Sequence, residues 1–195
     1  MEDFPDSSEL IGDYPKEILL KDGTGLTLRP IQPEDAAPLF EMFARLPEED
    51  KWYLDGDFED PMRMEKWVLD RDPRKQVSIV ASLEGKVVSL ACLSRKHFGS
   101  KSHIGEIRIS VDPSFRARHL GTWMLMDLMN LAISMELEIL VMHLVEDRDA
   151  LVIGGARKLG FSPEAVLRNY IRDRQGNPHN FVILVKRLYR GWEDE

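Results

Sequence analysis

Apolar residues along the chain switch repeatedly between a period of two and a period near 3.6, and each switch marks an element. The turn Lys21-Asp22-Gly23-Thr24-Gly25 opens a short strand in which Leu26 and Leu28 alternate with polar neighbours up to Pro30. Leu39, Phe40, Phe43 and Leu46 then recur at helical spacing. Pro33, Glu34 and Asp35 suit a first helical turn, so the spacing predicts a helix from Pro33 to Leu46. The stretch 47–60, PEEDKWYLDGDFED, follows neither period and reads as an acidic, aromatic loop. A second helix is predicted from Pro61 to Leu69.

Gln76 to Leu83 and Lys86 to Ser94 are rich in Val, alternate, and flank Glu84-Gly85, as the two arms of a hairpin do. Residues 97–103 read as a loop, and Ile104 to Val111 as the next strand. There Ile107, Ile109 and Val111 take one face, and Glu106, Arg108 and Ser110 the other. A long apolar helix is predicted from Leu120 to Leu137, with Asp127, Asn130 and Ser134 on one narrow stripe. Ile139 to Val145 reads as a core strand and Asp149 to Leu159 as a helix ended by Gly160. Strands from Ala165 to Arg172 and from Phe181 to Arg187 flank a Gln175-Gly176-Asn177 turn.

This order predicts an α/β fold of the mixed α+β kind. A mixed, mostly antiparallel sheet of about seven strands is flanked by about four helices. Residues 1–20 read as an N-terminal extension, 21–190 as a single domain, and 191–195 as a tail. No internal repeat or low-complexity tract interrupts the domain.

Composition narrows the possibilities further. With 195 residues, 43% of them hydrophobic, the chain has room for one sizeable core. Its longest apolar runs are broken well before the roughly 18 residues that a membrane span needs. The N-terminus, MEDFPDSSEL, is acidic and unlike a signal peptide. These features predict a cytoplasmic protein with no membrane partner. Cys92, the one cysteine, lies in a strand and reads as a buried, inert thiol. The net charge of −8 argues against a nucleic-acid binder.

Against that acidic background, Arg116-Ala117-Arg118-His119 stands out at the start of the long helix. The first amides of a helix have no intrahelical partner, and the macrodipole makes that end electropositive. Two arginines added there suit one polyphosphate group, or form an ordinary solvated pair.

The residues 111–122, VDPSFRARHLGT, resemble the turn and helix start of the GNAT superfamily of N-acetyltransferases. Arg116 matches the first position of its Arg/Gln-x-x-Gly-x-Gly motif and Gly121 the last, while His119 stands at the first glycine. Arg157-Lys158-Leu159-Gly160-Phe161 resembles the family's later Lys-Leu-Gly-Phe signature. The likeness runs from Leu26 to Leu188, and the ending, AVLRNYIRDRQGNPHNFVIL, resembles a final strand pair of some members.

The resemblance implies acetyl-CoA as co-substrate and no metal. The pyrophosphate would rest on the turn formed by Arg116, Ala117, Arg118, His119, Leu120, Gly121 and Thr122. Pantetheine would run beside Ile109 and Val111, where members splay two strands apart, with Asp149 near a pantetheine-contacting position. His119 keeps its amide but adds bulk to the turn, which is tolerable if its φ is negative. A backbone amide at Val111 or a neighbour would meet the tetrahedral oxyanion.

Amine acetylation needs a base, and Glu106 matches the strand position of the glutamate base in some members. A strand glutamate paired with Arg108 is the plainer reading. His103, Glu146 and Asp147 are further candidates. The family's usual tyrosine acid is replaced by Ala156, preceded by Gly154 and Gly155, so no hydroxyl is expected there. The thiolate would leave unaided or with water.

The implied activity is acetyl transfer to a primary amine, on a small molecule or a protein lysine, by direct attack in a ternary complex. The rival is a weak or inactive acetyl-CoA-binding sensor. Trp52, Tyr53, Asp55, Asp57 and Phe58 would form an acidic, aromatic acceptor wall, or an ordinary loop with aromatics in the core. The tail, with Trp192, suggests a possible homodimer contact.

Overall fold

The computed structural model describes residues 12–54, 58 and 60–188. Eight strands form one sheet: β1 (Lys16–Leu19), β2 (Gly25–Pro30), β3 (Gln76–Leu83), β4 (Lys86–Arg95), β5 (Ile104–Val111), β6 (Ile139–Val145), β7 (Ser162–Arg172) and β8 (Pro178–Arg187). Their spatial order is β1-β2-β3-β4-β5-β6-β8-β7. Every neighbouring pair is antiparallel except β5 and β6, which are parallel. The helices are α1 (Ala36–Ala44), α2 (Glu48–Trp52), α3 (Pro61–Leu69), α4 (Leu120–Ser134) and α5 (Ala150–Lys158).

The mixed, mostly antiparallel sheet is the one expected, with one strand more than the sequence indicates. The extra strand is β1, inside the stretch read as an extension. Its four residues bury only Ile18, too short a pattern to show a period. Side chains at its start dock on α4: Tyr14 donates its hydroxyl to Asp127, and Lys16 Nζ lies 2.8 Å from the same carboxylate. Asp127 is therefore buried and paired, although it belongs to the polar stripe of the helix.

Two helix boundaries also differ from expectation. The first helix begins as a 3₁₀ turn, Pro33–Asp35, because Asp35 is held by Arg29 at 2.7 Å and accepts from the Gln32 amide. In the stretch read as loop, residues 48–52 form α2. Pro47 followed by Glu48, Glu49 and Asp50 is a helix-start pattern favoured by the dipole, and it was the missed signal.

The sheet buries both faces. On one face, α4 and α5 cover Ile107, Leu140, Met142, Val182 and Leu184. α4 contributes Leu120, Met124, Leu125, Leu128 and Leu131, each worth about 1.5–3 kcal/mol of burial. On the other face, α1 and α3 pack over Val80, Val87, Leu90 and Cys92. Cys92 is buried against Ser78, and burial raises its thiol pKa, as an inert thiol requires. Side chains alternate along β5 and β6, so Glu106, Arg108 and His143 point to the α1 and α3 side.

Gly105 is the middle of the three residues by which β5 pairs with β6. A Cβ there would sit 2.8 Å from Leu137 Cδ1 and Leu93 Cδ1 and 3.0 Å from Leu140 Cδ2. Gly105→Ala is expected to cost about 1–3 kcal/mol of stability by overpacking, read as a lower urea midpoint at unchanged m-value.

Candidate active site

The site begins as a gap in the sheet. The β5/β6 register holds only Ile104↔Ile139, Gly105↔Leu140 and Glu106↔Val141. Beyond Glu106 each strand stays with its other neighbour, β5 with β4 as far as Val111 and β6 with β8 as far as Val145. The sheet therefore opens between Ile107–Val111 and Met142–Val145. Asp112 N donates to Val88 O on β4, and Ser110 O accepts from Ser89 on β4. Main-chain groups alternate along a strand, so those of Ile109 and Val111 face the gap. Buried amides and carbonyls need partners, so such an edge suits an extended ligand that bonds like a strand.

The β5 end of the gap is a rigid turn. Asp112, 2% exposed, accepts from the Ser114 amide and pairs with Arg45 Nε at 2.7 Å. Phe115 is buried behind it. Ala117 then takes φ +59° and His119 φ +66°, with Arg118 between them outside the left-handed region. The condition of a negative φ at His119 is not met: the residue occupies the left-handed conformation favoured by glycine, the residue type the family motif carries there. Histidine is among the residue types enriched there, at a cost of about 1–2 kcal/mol.

Such alternating handedness turns successive amides to one side, as in an anion-binding nest. The first helical donor of α4 is Trp123 N, to His119 O at 3.1 Å, so the amides of Leu120, Gly121 and Thr122 precede the ladder. At Gly121 a Cβ would come no closer than 4.0 Å, to Val111 Cγ2, so packing within the chain does not demand glycine.

The arginines at this end are engaged. Arg116 donates to Val111 O at 3.2 Å and to Asp50 at 2.6 Å. Asp50 also receives Arg148, from the loop after β6, at 2.7 Å. One carboxylate of α2 thus spans both lips of the gap. Burial would raise the Asp50 pKa, but hydrogen bonds from Arg148 and Arg116 outweigh it and hold the group below its ordinary value. Elsewhere on α2, Trp52 Nε1 donates to Arg172 O at 2.8 Å and Glu48 meets Arg174 at 3.2 Å. Arg118 pairs with Asp22 at 2.9 Å. Asp149 is spent within its own loop, accepting from Val145 N at 2.8 Å and from Arg148 at 2.9 Å; burial raises its pKa.

Glu106 sits at the root of the gap. It meets Arg108, as the plainer sequence reading has it, at 3.2 Å, and also His143 Nδ1 on β6 at 3.3 Å. The His143 hydrogen bond, against opposing burial, holds the Glu106 pKa below its ordinary value. His143 was missed in the sequence because it lies in the apolar strand ILVMHLV; a lone polar residue on a core strand was the available signal. Its ring stacks on Phe181 at 5.4 Å, and Phe181 meets Tyr170 at 5.6 Å.

The other candidates fall elsewhere. His103 precedes β5, at the end of the strand opposite the mouth, and its carbonyl caps Glu138 and Ile139 amides. Glu146 and Asp147 bind the β7–β8 hairpin through Asn180 and His179. Phe58 packs on Phe43 and Trp67 in the core, while Tyr53 lies under Arg148. Asp55, Asp57 and Trp192 lie outside the described residues. Ala156 is 1% exposed, and α5 carries no hydroxyl side chain. A Cβ at Gly154 or Gly155 would meet nothing within 4 Å. Among the described residues no cluster of His, Cys, Asp or Glu is placed to hold a metal ion. No described helix is long and apolar enough to cross a membrane.

Two predictions follow the lips of the gap. His119→Gly is expected to stabilise the fold by about 1 kcal/mol in urea unfolding, by relieving the left-handed strain. On the other lip, His179 bridges Asp147 at 2.8 Å and Asp173 at 3.2 Å. Bonds to Asp173 and Asp147 raise the His179 pKa, and bonds led by Asn177 lower that of Asp173 to about 2. The His179 contribution is complete below an unfolded value of about 6.5 and is lost as pH rises through its raised folded value. The Asp173 contribution is present above about 3.9 and is lost as pH falls below that. The Tm gap between wild type and His179→Gln should be largest at about pH 4–6 and shrink by about pH 9.

Comparison with known proteins follows this geometry. The model of the acetyltransferase (GNAT) family matches residues 37–161, which hold α1 through α5 and the whole gap. The fold is similar to an acetyltransferase of that family from Streptococcus pneumoniae, at TM-score 0.73 and 21% identity over 84% of this chain and 99% of that one. It is similar to an acetyltransferase from Salmonella typhimurium solved with its cofactor acetyl-CoA, at TM-score 0.73 and 19% identity over 87% and 98%. It also resembles the ribosomal-protein-alanine N-acetyltransferase of Brucella melitensis, at TM-score 0.71 and 20% identity over 83% and 99%. No match was found among curated proteins. With its family motif, its split β5/β6 pair and its helix-start turn all within one match, the chain belongs to the GNAT family of acetyltransferases.

Proposed function

We propose that the protein transfers an acetyl group from acetyl-CoA to a primary amine by direct attack within a ternary complex. The observation that carries this reading is the gap between β5 and β6 ending at a turn whose Leu120, Gly121 and Thr122 amides have no main-chain partner among the described residues. An extended pantetheine fits the edge formed by Ile109 and the Val111 amide, beside the Val111 carbonyl that Arg116 holds. The pyrophosphate fits the turn from Arg116 to Thr122, where amides, the α4 dipole and Arg116 converge. Gly121 leaves that approach bare. On this path the thioester lies at the root of the gap, beside Glu106, and a β5 amide meets the oxyanion.

The acceptor enters from the α1 and α3 side, where Glu106, His143, Phe181 and Tyr170 line the surface. A carboxylate beside exposed rings favours a cationic amine, on a small molecule or a protein lysine. Cys92 is buried, which supports direct attack over a covalent acyl-enzyme. One observation favours a second reading: α5 offers no hydroxyl to protonate the leaving thiolate, as would suit a sensor that binds acetyl-CoA without turning it over.

Asp50 competes with phosphate for Arg116 in this arrangement. In calorimetric titration with acetyl-CoA, Asp50→Asn should bind about 3- to 10-fold more tightly than wild type, because one ion pair no longer opposes the phosphate. The Arg116→Ala, Arg118→Ala double variant should lose at least about tenfold. No binding by folded wild type would refute the cofactor site. Binding without thiol release across amines and peptides would favour the sensor.

A further inference from the structure

The two strands that part at the gap place a carboxylate and an imidazole together at its root. Glu106 on β5 faces Nδ1 of His143 on β6 at 3.3 Å. The imidazole lies nearly flat on Phe181, with ring centroids 5.4 Å apart and planes inclined by 25°. Nε2 of His143 takes part in no hydrogen bond among the described residues. A carboxylate on one ring nitrogen fixes the tautomer and leaves the other nitrogen basic. Glu106 itself, held below the ordinary carboxylate range, is the weaker base of the two. The α5 helix, ALVIGGARK, carries no hydroxyl side chain to hand a proton back to a departing thiolate.

We infer that His143, positioned by Glu106 and Phe181, carries the proton in the transfer reaction, first as base and then as acid. The role rests on the acetyl-transfer reading above. The acceptor reacts as the neutral amine, having released its ammonium proton to solvent. Its nitrogen lone pair forms the C–N bond to the thioester carbonyl carbon, and one N–H proton passes to Nε2. The C–S bond then breaks with its electron pair on sulfur. The imidazolium proton passes to that thiolate, giving free thiol, an amide and neutral His143. No further reactant is needed, and one group replaces a separate base and acid.

From β5 the imidazole meets the charged Glu106, which in turn pairs with Arg108. From β8 it meets uncharged Phe181 and its register partner Ile183.

The test follows thiol release from acetyl-CoA with spermidine and a lysine-containing peptide as acceptors, between about pH 5.5 and 9. Wild type, His143→Gln, His143→Gly, Glu106→Gln and Glu106→Asp are compared, with acetyl-CoA titration showing that each still binds. His143→Gln should lower kcat about 10²-fold, leave KM within about threefold, and abolish the acid limb in the histidine range of about pH 5–8. Imidazole added to His143→Gly should restore part of the rate. Glu106→Gln should lose about tenfold in kcat with KM within about threefold, and Glu106→Asp should recover part of that loss. Wild-type kcat in His143→Gln beside an inactive Glu106→Gln would overturn this role while leaving acetyl transfer intact. A wild type that binds acetyl-CoA but releases thiol with neither acceptor would overturn the functional reading, and this role with it.

Discussion

The site depends on how briefly β5 and β6 stay paired. Three register pairs join them, and then each strand is held by a different neighbour. Gly105 sits in that short pairing, and three leucine side chains occupy the space where its Cβ would be. Everything downstream inherits that divergence. The edge at Ile109 and Val111 faces open space, the turn after Val111 stands apart from the loop after Val145, and Glu106 and His143 meet at the vertex. A sheet that closed over this length would satisfy those edge groups itself and leave nothing for a ligand to bond.

Charge then decides what the open end holds. The chain carries a net charge of −8, yet its arginines Arg116 and Arg148 meet across the mouth on Asp50. The carboxylate neutralises the lips and ties α2 across them. Further contacts from Trp52 to Arg172 and from Glu48 to Arg174 fasten α2 to the β7–β8 hairpin. The same helix therefore touches the cofactor end and the acceptor side, and a phosphate arriving at Arg116 would loosen a link that α2 uses.

Most of the fold was legible because long elements with clear periods dominate it. The β3–β4 hairpin, β5, α4 and β6 are visible as patterns of two or 3.6. The short elements were not. β1 buries one side chain and α2 none, so neither leaves a hydrophobic signature. The RARH turn before an apolar helix was legible as a candidate for anion binding, but its conformation was not. Only the coordinates show that Ala117 and His119 both adopt positive φ. Long-range pairings were beyond reach for the same reason: nothing local to Asp50, His143 or Asp127 says which distant residue it meets. Glu106 could be named from its strand position, and its imidazole partner, 37 residues further on, could not.

The central claim is that acetyl-CoA occupies the divergence between β5 and β6. Amide hydrogen exchange with and without CoA tests it most directly, because the free amides are those the ligand would bond. The account predicts slowed exchange at Ile109, Val111 and residues 117–122, with little change on β2 and β3. Unchanged exchange at those amides in the presence of saturating CoA, or protection confined to other strands, would contradict it.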